Sequence, residues 1–276
     1  MYTLNCKGKL LVMDKPLVMG IINATPDSFF EGHLDKGIEG IVDLASKMIA
    51  DGADILDIGG QSTRPGSSRI DAKEETARVV PLIEAIKTLH NDAIISIDTY
   101  HSKVAEAAVV AGASIVNDIS GGNMDTDMLT TVAQLKIPYI CMHMQGTPDS
   151  MQEHPQYENV TTAVVDFFIA KIAECKKAGI LDVIIDPGFG FGKTIQHNFQ
   201  LLKNLSAFKI FEMPLLVGLS RKSTIYKTLN TEASKALNGT TVLNTIALMN
   251  GASILRVHDV KEAKEAVKLF EAYKKV

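Results

Sequence analysis

At eight points along the sequence, a short apolar run stops at polar or charged residues, and a helix-like stretch usually follows. The stops are Asn23, Asp57, Asp98, Asn117, His143, Asp186, the cluster Ser220, Arg221 and Lys222, and the pair Arg256 and His258. Carboxylates accept hydrogen bonds, whereas Arg and Lys donate them and attract anions. In a parallel barrel the carboxyl ends of all eight strands meet at one rim, where the chemistry of such barrels takes place.

Residues 186–193, DPGFGFGK, form the densest motif of the chain. Pro187 stands where a phosphate-binding Walker loop needs glycine, and the third glycine falls one residue early for a dinucleotide fingerprint. A simple Asp-Pro-Gly turn is one interpretation. The other is a ligand-binding loop, because glycines let backbone approach a ligand and Phe189 and Phe191 can stack on a flat ring.

Asp98, Asn117 and Asp186 end the third, fourth and sixth predicted strands. Each residue alone is also a common helix cap or turn residue. Together at one rim, two carboxylates and an amide suit the edge of a heterocycle that carries amino and ring N–H donors. A general acid–base pair is an alternative that the pattern leaves open.

Cationic residues end the seventh and eighth predicted strands, at Lys222 and at Arg256 with His258. The loops after these two strands form the usual phosphate site of this barrel class. We therefore favour anion binding over solvated surface charge. Asn23, after the first strand, suits a magnesium ion that mostly contacts water and phosphate, but on residue type alone a Pro-Asp turn is the favoured interpretation.

Cys141 and His143 would share one strand face, which raises the possibility of a soft-metal site. No further ligand set accompanies them in the sequence. Core packing is therefore the favoured interpretation.

Apolar periodicity predicts eight strands that alternate with helices. The strands fall at 17–22, 54–58, 94–97, 114–116, 138–142, 183–185, 214–217 and 254–257. The helices fall at 37–50, 73–89, 102–112, 126–134, 157–177, from about 198, at 232–249 and at 259–275. This rhythm favours an α/β fold, a (β/α)8 or TIM barrel, over an open doubly wound sheet. Residues 3–13 predict a short N-terminal β-hairpin that closes the barrel bottom, and we expect a single domain over 1–276.

Composition narrows the class of protein. The 276 residues are 46% hydrophobic and 22% charged, with a net charge of −4, which argues against a nucleic-acid-binding surface. No apolar run approaches the length of a membrane helix, and the first eleven residues lack the core of a signal peptide. Three scattered cysteines predict a reducing, cytoplasmic location.

Eight ordered segments resemble those of the dihydropteroate synthases of the folate pathway. The segments are MGIINATPDSF (19–29), DIGGQSTRPG (57–66), SIDT (96–99), VNDISGG (116–122), MHMQG (142–146), DPGFGFGK (186–193), GLSRKS (218–223) and RVHD (256–259). Each segment is modest alone, but together and in this order they are specific.

The resemblance implies a homodimeric, magnesium-dependent barrel. It implies an enzyme that condenses 6-hydroxymethyl-7,8-dihydropterin diphosphate with p-aminobenzoate, giving 7,8-dihydropteroate and diphosphate. By the same likeness, the residues expected to hold the pterin are Asp98, Asn117, Met142, Asp186 and Lys222. Those expected to hold the diphosphate are Asn23, Arg256 and His258, with Asn23 also on the metal. Those expected around p-aminobenzoate, where sulfonamides would compete, are Thr63, Arg64, Pro65, Phe191 and Ser220. Asp98, Asp186, Lys222 and Arg256 are the expected catalytic residues.

One segment departs from the family pattern. The loop after Phe29 runs Phe30, Glu31, Gly32 and His33 where the family usually carries Ser, Asp and glycines. Two alternatives to a synthase also remain at this stage. One is a methyltetrahydrofolate–corrinoid methyltransferase, which would not need a diphosphate site, and the other is a non-catalytic pterin-binding protein.

Overall fold

The computed structural model describes residues 1–24, 37–61, 69–148, 151 and 155–276. Its centre is a sheet of eight parallel strands in the order β8-β7-β6-β5-β4-β3-β10-β9. The strands are β3 Leu17–Asn23, β4 Ile55–Gly59, β5 Ile95–Asp98, β6 Ile115–Asp118, β7 Tyr139–Met142, β8 Val183–Asp186, β9 Leu216–Val217 and β10 Ile254–Val257. A parallel bridge between Ile185 and Leu215 joins the two edge strands. The predicted (β/α)8 barrel is confirmed.

Helices follow the barrel strands and cover the sheet from outside. They are α1 Ile38–Ala50, α2 Ala72–Leu89, α3 Ser102–Ala111, α4 Met128–Leu135, α5 Val160–Ala178, α6 Ile195–Lys203, α7 Ser223–Thr228, α8 Leu237–Met249 and α9 Val260–Lys274. Local chemistry sets several boundaries. The Asn159 side chain accepts from the amides of Thr161 and Thr162, so α5 begins at 160, and Gly179 ends it in the left-handed conformation.

The predicted element boundaries differ from the structure at several places. The helix predicted from about 198 begins at Ile195, and the helix predicted from 157 begins at Val160. The seventh strand, predicted over 214–217, is only two residues long. The stretch before α8 is a 3-10 turn at Ala233–Lys235, so the helix predicted from 232 begins at Leu237. A further 3-10 helix at Leu205–Phe211 follows α6 and has no counterpart in the periodicity analysis. Short turns of this kind carry too few residues to show a period.

The N-terminal hairpin closes one end of the barrel. It consists of β1 Tyr2–Cys6 and β2 Lys9–Met13, paired antiparallel. Leu4, Cys6 and Met13 are buried in one apolar cluster with inward-facing residues from seven of the barrel strands and with Ile94, which directly precedes β5. These residues lie towards the amino ends of the strands, so the polar positions at the carboxyl ends are left to form the opposite mouth. The predicted hairpin is confirmed.

A larger apolar cluster lies between the sheet and the helices and includes Val18, Ile58, Val116 and Val217. Because strand side chains alternate, each strand gives one set of residues to this outer layer and the other set to the barrel interior. Among the described helices, none is both long and apolar enough to cross a membrane.

Candidate active site

Strand parity turns the polar strand-end residues into the barrel. In β5, Ile95 and Ile97 belong to the outer core, so Asp98 faces inward. Asp98 pairs in register with Gly59 of β4 and with Asn117 of β6, and Met142 of β7 pairs with Asp186 of β8. Parallel strands in register thus bring residues that are far apart in sequence to one height in the mouth.

Arg256 of β10 crosses this mouth and binds two carboxylates. Its Nε donates to Asp57 Oδ2 at 2.6 Å, and its Nη2 donates to Asp98 Oδ2. Asp57 is completely buried, and four-fifths of the Arg256 side chain is buried. Burial opposes the charge of Arg256, but the two carboxylates raise the pKa of the guanidinium above its ordinary value. The cation is therefore fixed in position and permanently charged.

Asp57 also holds Asn117, whose Nδ2 donates to the same Oδ2 atom at 3.0 Å. Asp57 Oδ1 is buried without a hydrogen-bond partner in the described part of the chain. The neighbouring Asp118 faces the other way, towards the outer core, where it accepts from Tyr139 and Ser120. Within the pair Asn117–Asp118, only Asn117 belongs to the mouth.

Two carboxyl groups in the mouth are less acidic than usual. Burial raises the pKa of Asp98 to about 7, although Arg256 opposes the shift, and the nearby charges of Asp57 and Asp186 add to it. Burial also raises the pKa of Asp186, with Lys222 and the Gly188 amide opposing. Asp186 Oδ1 accepts from that amide at 2.8 Å. A ligand that brings hydrogen-bond donors to these carboxyl groups would favour their charged form.

Lys222 lies opposite Asp186 at the start of α7. Its Nζ donates to the carbonyl of Phe189 and lies 4.6 Å from the centre of the Phe191 ring. Burial lowers the pKa of Lys222 to about 8, against the attraction of Asp186. A cation over an aromatic face is stabilised by the ring quadrupole. Lys222 thus connects the acidic wall to an aromatic surface.

The glycine-rich motif forms the loop after β8. Gly188, Gly190 and Gly192 all have positive φ angles. A side chain at Gly188 would place its Cβ 1.9 Å from the carbonyl oxygen of His143, so glycine is required there. The two Phe residues separate: Phe189 is buried in the outer core, whereas Phe191 packs at the mouth. The prediction that both could stack on a ligand is therefore wrong for Phe189.

An apolar patch lines part of the mouth. Met142, Tyr100 and Ile119 form a small buried cluster, and Met124, Met144 and Phe191 pack against it. This patch offers a flat ring an apolar surface next to Asn117 and Asp186, because Met142 lies on the strand between theirs.

The loops after β9 and β10 are joined by two contacts. Ser220 Oγ accepts from the His258 amide at 3.2 Å and lies 3.0 Å from His258 Nδ1. Arg221 forms a two-pronged ion pair with Asp259, at 2.9 and 2.7 Å. β10 ends at Val257, so His258, predicted at the end of the eighth strand, lies just beyond it.

Asn23 is the exposed last residue of β3, in register with Gly59. Groups of three or more His, Cys, Asp or Glu residues arranged for a metal do not occur in the described part of the chain. A single amide oxygen fits only an ion that takes most of its ligands from water and substrate, as magnesium does. Thr63, Arg64 and Pro65, and the atypical loop Phe30–His33, lie outside the described residues.

Cys141, which the sequence paired with His143, is a buried free cysteine of the outer core, so the core interpretation is confirmed for it. His143 instead contacts Lys193, at 2.9 Å from Nδ1 to Nζ.

Asp57, Lys193 and Glu75 were missed as site residues. Asp57 and Lys193 both lie inside motifs that the sequence analysis singled out, so their place in those motifs could have marked them as site residues. Glu75 in α2 had no signal: it is buried, accepts from Thr99 Oγ1 at 2.9 Å, and burial raises its pKa to about 7.

The mouth thus combines carboxylate and amide acceptors, the cations Lys222 and Arg256, and an apolar patch. Such a site fits a flat heterocycle that carries both N–H donors and an anionic group. The sequence pattern described as "pterin binding enzyme" matches residues 19–258. The chain belongs to this family.

Individual relatives narrow the activity. The chain is 44% identical over 268 residues to dihydropteroate synthase of Escherichia coli strain K12, covering 96% of this chain and 94% of the relative. It superposes on the Yersinia pestis dihydropteroate synthase with a sulfonamide drug at a TM-score of 0.94, with 41% identity and full coverage of both chains. The Xanthomonas albilineans dihydropteroate synthase with 4-aminobenzoic acid gives a TM-score of 0.93 and 38% identity, over 99% and 98% of the two chains. The protein is therefore an enzyme of folate biosynthesis with dihydropteroate synthase activity.

Replacing Asp57 by Asn should destabilise the protein. The substitution keeps the shape but removes the buried negative charge that Arg256 Nε binds, and we expect a loss of about 2 kcal/mol in the free energy of unfolding. Urea denaturation measures it. The control is Glu232→Ala, which removes an exposed ion pair with Lys235 and should change nothing measurable. Equal effects of the two substitutions would contradict the importance of the buried pair.

Proposed function

We propose that the mouth of the barrel binds 6-hydroxymethyl-7,8-dihydropterin diphosphate and p-aminobenzoate and joins them into 7,8-dihydropteroate. The observation that carries the assignment of residues is the contact of Arg256 with two carboxylates, beside Asp186 and Lys222. This contact brings hydrogen-bond acceptors and cations so close together that one small ligand can reach both. The family likeness supplies the substrates.

Asp186 and Lys222 are proposed to fix the pterin. The Asp186 carboxylate can accept from the 2-amino group and the ring N3–H, while Lys222 can donate to the ring carbonyl. Asp98 and Asn117 add further polar contacts along the ring, and Met142 packs on its face. Asp186 and Lys222 attract each other across this space, which supports their acting on one ligand.

Arg256, His258 and Asn23 are proposed to bind the diphosphate. The bonds to Asp57 and Asp98 use two of the five N–H donors of Arg256. Magnesium, held by Asn23 together with water and the diphosphate oxygens, would supply further positive charge to the leaving group. The single amide oxygen that Asn23 presents supports an ion bound mainly by substrate and water.

The p-aminobenzoate site is proposed to form between Phe191, Ser220 and the residues Thr63, Arg64 and Pro65. Ser220 is buried beside His258, and Phe191 lies under Lys222. Sulfonamides resemble p-aminobenzoate in shape, so we expect them to compete here.

In the proposed reaction, the bond between the pterin methylene carbon and the diphosphate oxygen breaks, and its electron pair leaves with diphosphate. Arg256 stabilises the growing negative charge. The amine nitrogen of p-aminobenzoate then forms the new bond to the electrophilic methylene carbon and loses a proton. Because the methylene carbon is strongly electrophilic, the amine needs little activation. The proposed reaction therefore assigns no general base to the amine.

Asp186→Asn tests the pterin site. Asn keeps one acceptor but replaces the other by a donor that faces the pterin N–H groups, so we expect affinity for the pterin diphosphate to fall at least about tenfold. Calorimetry measures the affinity, and magnesium- and p-aminobenzoate-dependent diphosphate release measures turnover. The control is Asp182→Asn, just before β8, where Asp182 accepts from the Asn5 amide of the hairpin. Near-normal affinity of Asp186→Asn would refute the assigned role.

The ionisation of Lys222 should appear in the pH profile. Its pKa is lowered to about 8, so the amine is protonated below that pH and loses its charge above it. We expect kcat/KM for the pterin diphosphate, which reports ionisations of the free enzyme, to fall as pH rises through about 8. In Lys222→Met this decline should disappear from a lower starting value. An unchanged decline in that variant would assign the ionisation to another group.

We further propose that two copies of the chain associate through α8 and α9. Val242, Ile246 and Met249 form an exposed apolar stripe on α8, and Leu269 and Tyr273 continue it on the adjacent α9. Contiguous exposed apolar surface of this kind is typical of interfaces.

The three cysteines are free, which supports a reducing cytoplasmic location.

Ile246→Glu should disrupt the proposed dimer. A carboxylate at the centre of the apolar stripe would be buried without a partner, so we expect the molecular mass in solution to fall from two chains to one. Light scattering after size-exclusion chromatography measures it. Val110→Glu introduces the same charge at an exposed apolar residue of α3 and should leave the dimer intact. A wild-type protein that runs as a single chain would disprove the proposal.

A further inference from the structure

Lys193, the last residue of the glycine-rich motif, is a buried lysine without an assigned role. Its side chain is 3% exposed, and its Nζ lies 2.9 Å from His143 Nδ1, 2.9 Å from the Gly188 carbonyl oxygen and 3.1 Å from that of Phe191. An ammonium group has three N–H donors. The three nearest acceptors match these donors one to one.

His143 acts as an acceptor in this arrangement. It follows β7 directly, is buried, and meets the Phe167 ring edge-on at 4.9 Å. Burial and the adjacent Lys193 cation lower the pKa of His143 to about 3, so the imidazole is neutral. Burial lowers the pKa of Lys193 to about 7, while Asp186 opposes and Lys222 adds to the shift.

The two carbonyls that Lys193 binds lie at the ends of one tight turn. The Phe191 amide donates to the Gly188 carbonyl at 3.1 Å, so the turn closes on itself. Its glycines have no side chains, so only their backbone groups can anchor them: the Gly188 amide donates to Asp186 Oδ1 and the Gly190 amide to Asn198 Oδ1, both at 2.8 Å, and Lys193 Nζ adds contacts to the two carbonyls. Lys193 Nζ therefore ties the turn to the end of β7.

This turn carries both groups that place Lys222. The Phe189 carbonyl accepts from Lys222 Nζ, and the Phe191 ring lies beneath the same atom. A shift of the turn would therefore move the Lys222 ammonium and the Phe191 ring together.

We propose that Lys193, oriented by His143, is a positioning residue of the synthase reaction that holds the 188–191 turn so that Phe191 and Lys222 are in place before substrate arrives. The inference rests on the proposed assignment of Phe191 to p-aminobenzoate and of Lys222 to the pterin. Without Lys193 the substrate itself has to order the turn, which costs binding free energy. The defect should therefore appear in KM, whereas saturating substrate should restore most of kcat.

Lys193→Met removes the three donors and keeps a similar length. We expect KM for p-aminobenzoate to rise about tenfold, with kcat changed much less, because the hydrogen bonds from Lys193 Nζ to the turn are lost. The matched control is Lys171→Met, which removes another buried lysine, one that forms an ion pair with Glu174 on α5. It should leave KM and kcat as they are, even where it lowers the melting temperature.

His143 provides an independent test should Lys193→Met fail to fold. His143→Leu removes the acceptor and should raise KM, whereas His143→Asn, whose Oδ1 can take the place of Nδ1, should recover most of the affinity. Because the two residues act as a unit, the double variant Lys193→Met/His143→Leu should be no worse than Lys193→Met alone.

A purely structural role gives a different result. Lys193→Met would then lower kcat through loss of folded enzyme at unchanged KM, and His143→Asn would give no recovery over His143→Leu. Either result overturns the positioning role. Failure of the proposed function is separate, since it would appear as absent diphosphate release in the wild-type enzyme or as normal pterin affinity in Asp186→Asn.

Discussion

The buried charge of Arg256 is the interaction on which the mouth of the barrel depends. A guanidinium removed from water is costly unless carboxylates bind it, and Asp57 and Asp98 do so from two neighbouring strands. The same Asp57 oxygen holds Asn117. One cation therefore fixes the positions of two acids and an amide, and the loss of any partner leaves another buried polar group unsatisfied. This mutual dependence pre-organises the site without a bound ligand.

Because opposite charges are buried close together in the mouth, several of its ionisable groups have shifted pKa values. Among the described residues, Asp57, Asp98 and Asp186 face Lys193, Lys222 and Arg256. Burial brings the pKa of Asp98 and that of Lys193 to about 7, and that of Lys222 to about 8. Groups poised near neutrality can exchange protons with a polar heterocycle at little cost. Arg256 stays charged throughout, which suits a group that faces a departing anion.

Sequence periodicity predicted the barrel well, because buried parallel strands and amphipathic helices differ clearly in their apolar spacing. It failed where elements are short. The two-residue strand β9 packs against β8 and β10, and the 3-10 helix after α6 packs against α5; both are too short to show a period of their own. In the site, the positions of polar residues at strand ends predicted which residues come together in the mouth. They did not predict the hydrogen bonds and ion pairs that each residue forms. Asp118 turned outward and Phe189 entered the outer core because of strand parity and the path of the turn, neither of which a motif records.

The sequence by itself determined the eight-fold alternation of strands and helices, the end of the barrel at which polar residues collect, and the family. Those properties follow from local patterns and from motifs of fixed order. Only the tertiary structure decided that Asp57 holds Arg256 and Asn117, and that Lys193 ties the glycine-rich turn to His143. Each of these contacts joins residues at least 50 positions apart in sequence, so it exists only once the barrel has closed and burial has made an unpaired charge costly.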